Sequence, residues 1–288
     1  MKDSFPTITE AFSRTAAKYD AFAEDHPHLT RLREKVYAHV CRHVPPGSHI
    51  LELNAGTGID AVALAQRGYR VHATDISPGM LVRAREKVKQ FGLGERVSVQ
   101  ECSFTELDQV DSAPFDAVFS DLGGLNCIPD LSAVIEQLPK LLHPGGIVTW
   151  VLMPPVCLWE IAEVFRGNFR LAFRRLSRKG TRSHLEGLYF NVYYFPPGRV
   201  MDWFGDDFTH LELEGLSVIT PTAESKKLAK RYPRLYAAFA RLDDSLSTRP
   251  PWWGWGDFYI LSMRYNLTPV PSGHPLPYQG RGPGDRSI

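Results

Sequence analysis

The chain reads as an α/β protein: a Rossmann-like, doubly wound and mostly parallel sheet with an antiparallel final strand and helical, aromatic-rich cap insertions. Three observations predict this. From Ile50 to about Met153, short β-branched apolar runs alternate with longer segments of helical period, the pattern of βαβ units. A glycine-rich turn, "NAGTG", separates the first such run from the first helical segment, where open α/β sheets bind ligands. Two late strand-like runs then bracket a helical insertion, which suits a reversed strand near one end of the sheet.

Taken in order, two helices are expected before the sheet. "ITEAFSRTAAKYDAFAE" is weakly amphipathic, and "LTRLREKVYAHVCRHV" places Leu29, Leu32, Val36, Val40 and Val44 on one face. The strands are "HILELN", "RVHAT", "VSVQEC", "FDAVFS" and "IVTWVLM". Between them "IDAVALAQRG", "SPGMLVRAREKVKQFG" and "PDLSAVIEQLPKLLHPGG" read as helices that stop at Gly or Pro-Gly. Ser77 followed by Pro78 is an N-cap and first-turn pair, and Asp130 can cap the third helix in the same way. Downstream come an arginine-rich helical stretch, the strands "GLYFNVYYFPP" and "HLELEGLSVITP", the helix "AESKKLAKRYPRLYAAFARLDDSL" and the strand "GDFYILSMRY". The expected organisation is therefore N-terminal helices over 1–45 covering the ligand site, and a main domain over 46–266 with insertions near 154–197 and 221–256. A tail over 267–288, rich in Pro and Gly, is expected to be disordered, because it offers too little apolar surface to offset its ordering entropy.

Composition narrows the partners. Thirty-three basic against 32 acidic residues leave no global field toward nucleic acid or an anionic membrane, so only a local patch could make that case. The four cysteines are scattered without CxxC spacing or companion histidines, so no metal site is expected. The N-terminus lacks an apolar signal-like run and no segment reaches the roughly 18 apolar residues of a membrane span. A cytoplasmic protein is the expectation.

Gly56, Gly58 and Ala61 fit GxGxxA, a turn that lets backbone amides approach a ligand, and Asp75 ends the second strand where a carboxylate can accept both hydroxyls of an adenosine ribose. These features suit nicotinamide and adenosylmethionine alike. Glu52 separates them, since a carboxylate on the strand entering the loop is useful near a cation and would repel a pyrophosphate. The segment "TDISPGML" also departs from the ordinary dinucleotide pattern.

With these residues in place, "LELNAGTG", "ATDISPGML", "FDAVFSDLGGLNCIPDL" and "LLHPGGIVTWVLM" resemble, in order and spacing, the class I S-adenosylmethionine-dependent methyltransferases. The similarity is to the small-molecule branch with the malonyl-carrier O-methyltransferases and quinone C-methyltransferases, and it covers about Phe12 to Tyr265. The resemblance implies S-adenosyl-L-methionine as cofactor. It implies Glu52, Asn54, Ala55, Gly56 and Gly58 around the methionine part, Asp75 on the ribose, and Ile76, Met80, Ser103 and Phe104 about the adenine. Asp121, Leu122 and Gly123 would face the sulfonium, with Tyr19 closing over the ligand. Asn54 stands where the family's loop has its first glycine, and Ser103 where an acidic residue usually meets the adenine.

Methyl transfer needs positioning more than a dedicated nucleophile, and no base motif stands out. His184, Glu186, His26, His28 and Tyr193 are the candidates for removing a proton. The sequence "SDLGGLN" after the fourth strand lacks the Asn/Asp-Pro-Pro-Tyr of nucleobase N-methyltransferases, which argues against a nucleic acid acceptor. Both insertions are dense in aromatics: Trp159, Phe165, Phe169, Phe173, Tyr189, Tyr193 and Tyr194, then Tyr232, Tyr236, Trp252, Trp253 and Trp255. They are expected either to line an apolar acceptor pocket or to form the insertions' own small core. A small-molecule or lipid-like acceptor, methylated at oxygen or carbon, follows from the first of these. The stretch 166–182, with Arg166, Arg170, Arg174, Arg175, Arg178, Lys179 and Arg182 and no acidic residue, could meet an acidic carrier protein or an anionic headgroup, or be a solvated face. Two other readings compete: a NAD-dependent oxidoreductase, and an inactive binding protein on the same fold.

Overall fold

The computed structural model describes residues 5–24, 26–223 and 226–266, so the tail expected to be disordered lies outside the described residues. Two helices open the chain, α1 (Phe5–Ala23) and α2 (Pro27–His43). Strands β1 (His49–Leu53), β2 (Arg70–Asp75), β3 (Val97–Glu101), β4 (Phe115–Ser120) and β5 (Leu142–Leu152) follow, all parallel, with α3 (Ile59–Gln66) and α4 (Pro78–Gln90) crossing over between the first three. A hairpin of β6 (Thr181–Leu185) and β7 (Leu188–Val192) forms a separate two-stranded sheet. The last two strands, β8 (Phe208–Leu216) and β9 (Phe258–Tyr265), complete the main sheet in the order β3-β2-β1-β4-β5-β9-β8. The final strand thus runs antiparallel, inserted between β5 and β8.

The strand order reverses between β1 and β4, which opens a crevice at their carboxyl ends. Both faces of the sheet are covered, so its central strands are buried and mostly apolar, with Glu52 of β1 a charged exception. Leu51, Leu53, Val118, Val148 and Trp150 enter one core cluster, while Ile50, Ala73, Ala117, Phe119 and Val151 enter the other, the period-two split of a pleated strand. Leu32, Val36, Tyr37 and Val40 of α2, with Val44 just past its end, cover the second cluster. Ser77 caps α4 as anticipated, its Oγ accepting from Met80 N at 3.4 Å with Pro78 in the first turn.

Several elements differ from their sequence expectation. The helix expected over 129–146 is two single turns, Ser132–Ile135 and Leu138–Leu141, because Pro139 lacks the N–H that would continue the first turn. Strand β5 begins at Leu142, ahead of the expected Ile147, because Leu142 pairs with Phe115 across a register shift. Pro233 likewise divides the late helix into Lys226–Arg231 and Pro233–Leu246.

The insertion at 221–256 packs on α2. Arg31 reaches Asp243 at 3.3 Å and Asp244 at 2.5 Å, and His28 Nδ1 lies 2.8 Å from Tyr236 Oη. The arginine-rich stretch is broken into short turns, and Arg175 is buried between Glu160 at 2.7 Å and Asp257 at 2.6 Å, with Arg174 also on Glu160. No described helix is long and apolar enough to cross a membrane.

Candidate functional site

The crevice is floored by the turn after β1. Asn54, Gly56 and Gly58 all take positive φ, of 48°, 56° and 75°. At Gly58 a Cβ would lie 3.0 Å from the Ala84 side chain, so this glycine brings α3 against α4. Asn54 tolerates the left-handed backbone that glycine would otherwise supply. Its Oδ1 accepts from Ser120 Oγ at 3.1 Å, and its amide fills the space beside Gly124, where a Cβ would come within 2.3 Å of Asn54 Nδ2. The side chain gained at 54 is therefore accommodated by the one missing at 124.

Asp75 is buried at the end of β2, its two carboxylate oxygens accepting from Gly56 N and Ser77 N, each at 2.8 Å. Burial raises its pKa, and those two amides work against the rise. Behind the turn lies a denser group. Asp60 accepts from the buried Arg33 Nε at 3.1 Å and from Tyr37 Oη. Asp121 Oδ1 accepts from Leu122 N at 2.8 Å, while Asp121 Oδ2 and Glu52 Oε2 are buried with no donor among the described residues, and Asp121 can meet the Asp60 carboxylate only by holding a proton. Burial, then Asp60, pushes the Asp121 carboxyl up to about 8; burial, Asp60, Asp121 and Asp75 raise Glu52 well above the carboxylate range. Three carboxyl groups with one buried guanidinium form a site short of positive charge. Orphaned acceptors of this kind each carry a desolvation cost that a cationic ligand would remove.

Above this group is a cavity of about 630 Å³. Of the residues carried over from the sequence, Tyr19, Asn54, Gly56, Asp75, Ile76, Met80, Phe104, Asp121, Leu122 and Gly123 line it. Glu52, Ala55 and Gly58 lie beneath or beside it, and Ser103 lines a smaller adjoining recess with Phe5, Ile76 and Glu106, its Oγ 2.8 Å from Thr105 Oγ1. His184 and Glu186 reach the cavity wall.

Other candidates do not reach it. His26 caps α2, accepting from Leu29 N, and its Nε2 lies 2.9 Å from the Ala223 carbonyl oxygen. His28 bridges Tyr236 and Ser217, burial lowering it to about 4. Tyr193 packs against the main core, its N–H donating to Asn126 O at 2.8 Å. The aromatics of the insertions decide between the two expectations in favour of local packing: none of the twelve lines the cavity, and 221–256 contributes no lining residue among those described. Trp159, for example, donates Nε1–H to Ile219 O at 2.9 Å and packs on Phe239.

The aromatic lining comes instead from α1 and the hairpin. Ile8, Phe12, Thr15, Tyr19 and Phe22 form one stripe of α1 facing the cavity, with Leu185, Phe190 and Val192 opposite. Their 4-3-4-3 spacing was the available sequence signal. Helix α1 is fastened on two sides. Asp20 accepts from Thr57 Oγ1 at 2.6 Å and pairs with Lys87, and Ser13 Oγ meets Ser77 Oγ at 2.8 Å. Across the cavity Lys18 pairs with Glu186 at 2.8 Å.

Comparison with known proteins places this geometry. Residues 50–146 match the family described as methyltransferase domain. A malonyl-[acyl-carrier protein] O-methyltransferase of Serratia marcescens is 30% identical over 162 residues, 55% of this chain and 57% of its own length. A demethylmenaquinone methyltransferase of Clavibacter sepedonicus is 35% identical over 114 residues, 39% of this chain and 44% of its own. The chain thus spans about half the length of these relatives. Among solved structures, the 1,6-didemethyltoxoflavin-N1-methyltransferase of Burkholderia thailandensis, with S-adenosylhomocysteine bound, superposes with a TM-score of 0.54 over 92% of this chain and 90% of its own at 15% identity. That likeness is one of fold.

Proposed function

We propose that this chain, whose residues 50–146 carry a class I methyltransferase domain, is an S-adenosylmethionine-dependent methyltransferase acting on a small-molecule or lipid-like acceptor. The observation that carries the reading is the pair of buried, unpartnered carboxyl oxygens, Glu52 Oε2 and Asp121 Oδ2, at the turn of a nucleoside-sized crevice. They fit a ligand bearing an ammonium and a sulfonium, and they oppose a pyrophosphate, so the nicotinamide reading is not favoured.

Gly56, Asp121, Leu122 and Gly123 would hold the methionine end, Asp75 the ribose, and Ile76, Met80 and Phe104 the adenine. A bound S-adenosylmethionine supplies an electrophilic methyl group on sulfur. The chain's part is to bury the reacting centre under α1, exclude water with the apolar stripe and hold the acceptor in line. Where the acceptor must lose a proton, His184 is the lining residue left to take it, its exposed ring having to turn inward from Tyr189, since Glu186 is engaged by Lys18.

The lining of Phe12, Phe22, Leu185, Phe190 and Val192 favours an apolar acceptor portion, free or borne on a carrier as the name of the Serratia relative suggests. Four free cysteines agree with a reducing, cytoplasmic setting.

Calorimetric titration with S-adenosylhomocysteine, beside NADH and an Asp75→Ala variant, tests the reading. Micromolar binding lost in the variant, without an NADH signal, supports it. Binding of NADH and not of the sulfur ligand refutes it.

A further inference from the structure

The segment 165–182 has a surface unlike the rest of the molecule. Phe165 is 93% exposed, Phe169 59%, Phe173 48% and Leu176 57%, four of the eleven large exposed apolar side chains of the described residues within twelve positions. Isolated exposed apolar residues need no explanation, whereas a contiguous set marks a binding surface.

The charges around it divide into two groups. Arg174 and Arg175 are turned inward onto Glu160 and Asp257 and anchor the segment to the sheet. Arg170, Arg178, Lys179 and Arg182 form no ion pair among the described residues, and the first three are exposed beside the apolar set. The buried Arg175 and the half-buried Arg174 thus hold a platform whose outer face carries phenyl groups and unpaired cations.

The platform adjoins the cavity. Thr181, which opens β6, donates its hydroxyl to Arg174 O at 2.8 Å, and the hairpin then turns Leu185, Phe190 and Val192 into the cavity. Its outer side carries Tyr189, 52% exposed, with Arg182 stacked at 4.0 Å over the ring.

We propose that residues 165–182 form an interfacial surface that seats the protein on an anionic bilayer, with the apolar side chains in the headgroup and acyl boundary and Arg170, Arg178 and Lys179 on lipid phosphates. The lipid-like acceptor proposed above would then enter the cavity along the hairpin, so this inference deepens that reading and rests on it. Apolar insertion combined with attraction to anionic lipid is the chemistry of interfacial segments. A second copy of the chain fits poorly, because a twofold contact would press these unpaired cations against themselves. An acidic carrier protein would match the charges but leave the nearly fully exposed Phe165 unexplained.

The test is co-sedimentation of the full chain with phosphatidylcholine vesicles containing or lacking phosphatidylserine, without cofactor. Two variants are compared: Arg170→Gln/Arg178→Gln/Lys179→Gln and Phe165→Ser/Phe169→Ser. Binding to the anionic vesicles alone is expected, weakened about fivefold for each cation removed, as near-surface Lys and Arg contribute. The Phe variant should also bind less while keeping its far-ultraviolet dichroism; should it unfold, the charge variant carries the test.

Equal binding to neutral and anionic vesicles, or insensitivity to both variants, overturns the proposal. So does a self-association in sedimentation velocity that the Phe variant abolishes while vesicles go unbound, or capture of acidic carrier protein in place of vesicles. S-adenosylhomocysteine titration of the same proteins keeps the two readings apart, since vesicle binding is measured without that ligand.

Discussion

On the proposed function, the buried carboxyl group of Asp121 should make cofactor binding a proton-releasing event. In the free protein, with Asp121 titrating near 8, about nine tenths of its carboxyl groups are protonated at pH 7. A cation settling beside it favours the ionised form, so the carboxyl group must give up its proton to bind. Below the free-state pKa the affinity should rise about tenfold for each pH unit, flattening above about pH 8, and at pH 7 close to one proton should leave per ligand bound. Glu52 is raised by the same neighbours, so the titration belongs to the buried group as a whole.

Calorimetry of S-adenosylmethionine binding, which brings the sulfonium that the homocysteine form lacks, in two buffers of different ionisation enthalpy reads the proton count directly. Asp121→Asn should bind more weakly, and its affinity should depend less on pH; adding Glu52→Gln should flatten the dependence. The ligand's own amino group titrates in every protein compared, so the difference between wild type and variant isolates the carboxyl groups. A wild type whose heat is indifferent to buffer, or an Asp121→Asn variant with an unchanged slope, would refute the reasoning.

Three further outcomes are expected. At Gly79 a Cβ would lie 2.7 Å from the Ser13 carbonyl oxygen, so Gly79→Ala should push α1 off the site, cost about 1–3 kcal/mol in denaturant unfolding and weaken S-adenosylhomocysteine binding. Arg175→Ala strands Asp257 in the interior, while Glu160 keeps Arg174, and should destabilise the fold by about 3–5 kcal/mol, read from the denaturant midpoint; an exposed pair would give under about 1 kcal/mol. Glu214, held down to about 2 by His39 and Lys35 against the opposing effect of burial, contributes stability that is present above about pH 4.5 and fades as pH falls through about 2. Thermal melts should show that acid loss, and Glu214→Gln should remove this contribution.

Local rules made the sheet legible. The apolar runs of β1, β2 and β4 and the Ser77-Pro78 cap are short-range signals, and the turn after β1 is marked by its glycines. What escaped was set by residues distant in the chain. Strand β5 starts early because Leu142 meets Phe115, and a window read for helical period sees only "LPKLLHPGG". Arg175 looked like part of a free basic run because its partner Asp257 is 82 positions away. A count of aromatics in the insertions does not say which way they face, while the cavity's wall, Phe12 to Phe22 on α1, lies in a helix whose sequence is only weakly amphipathic. The carboxyl groups split in the same way: Glu52, Asp75 and Asp121 could be carried over from a resemblance, whereas Asp60 and the Arg33 that balances it become part of the site only once α2 is folded onto the sheet.

Helix α1 is a wall shared by both ligands of the proposed reaction. Tyr19 and Phe22 cannot close on one ligand without narrowing the way for the other, and the fastenings at Asp20, Ser13 and Lys18 all come from this one helix. If the cavity exchanges its contents past that helix, these fastenings, and not the speed of bond exchange, would set the pace of turnover. A faster catalyst would then be made by loosening a latch, with the reacting atoms left as they are.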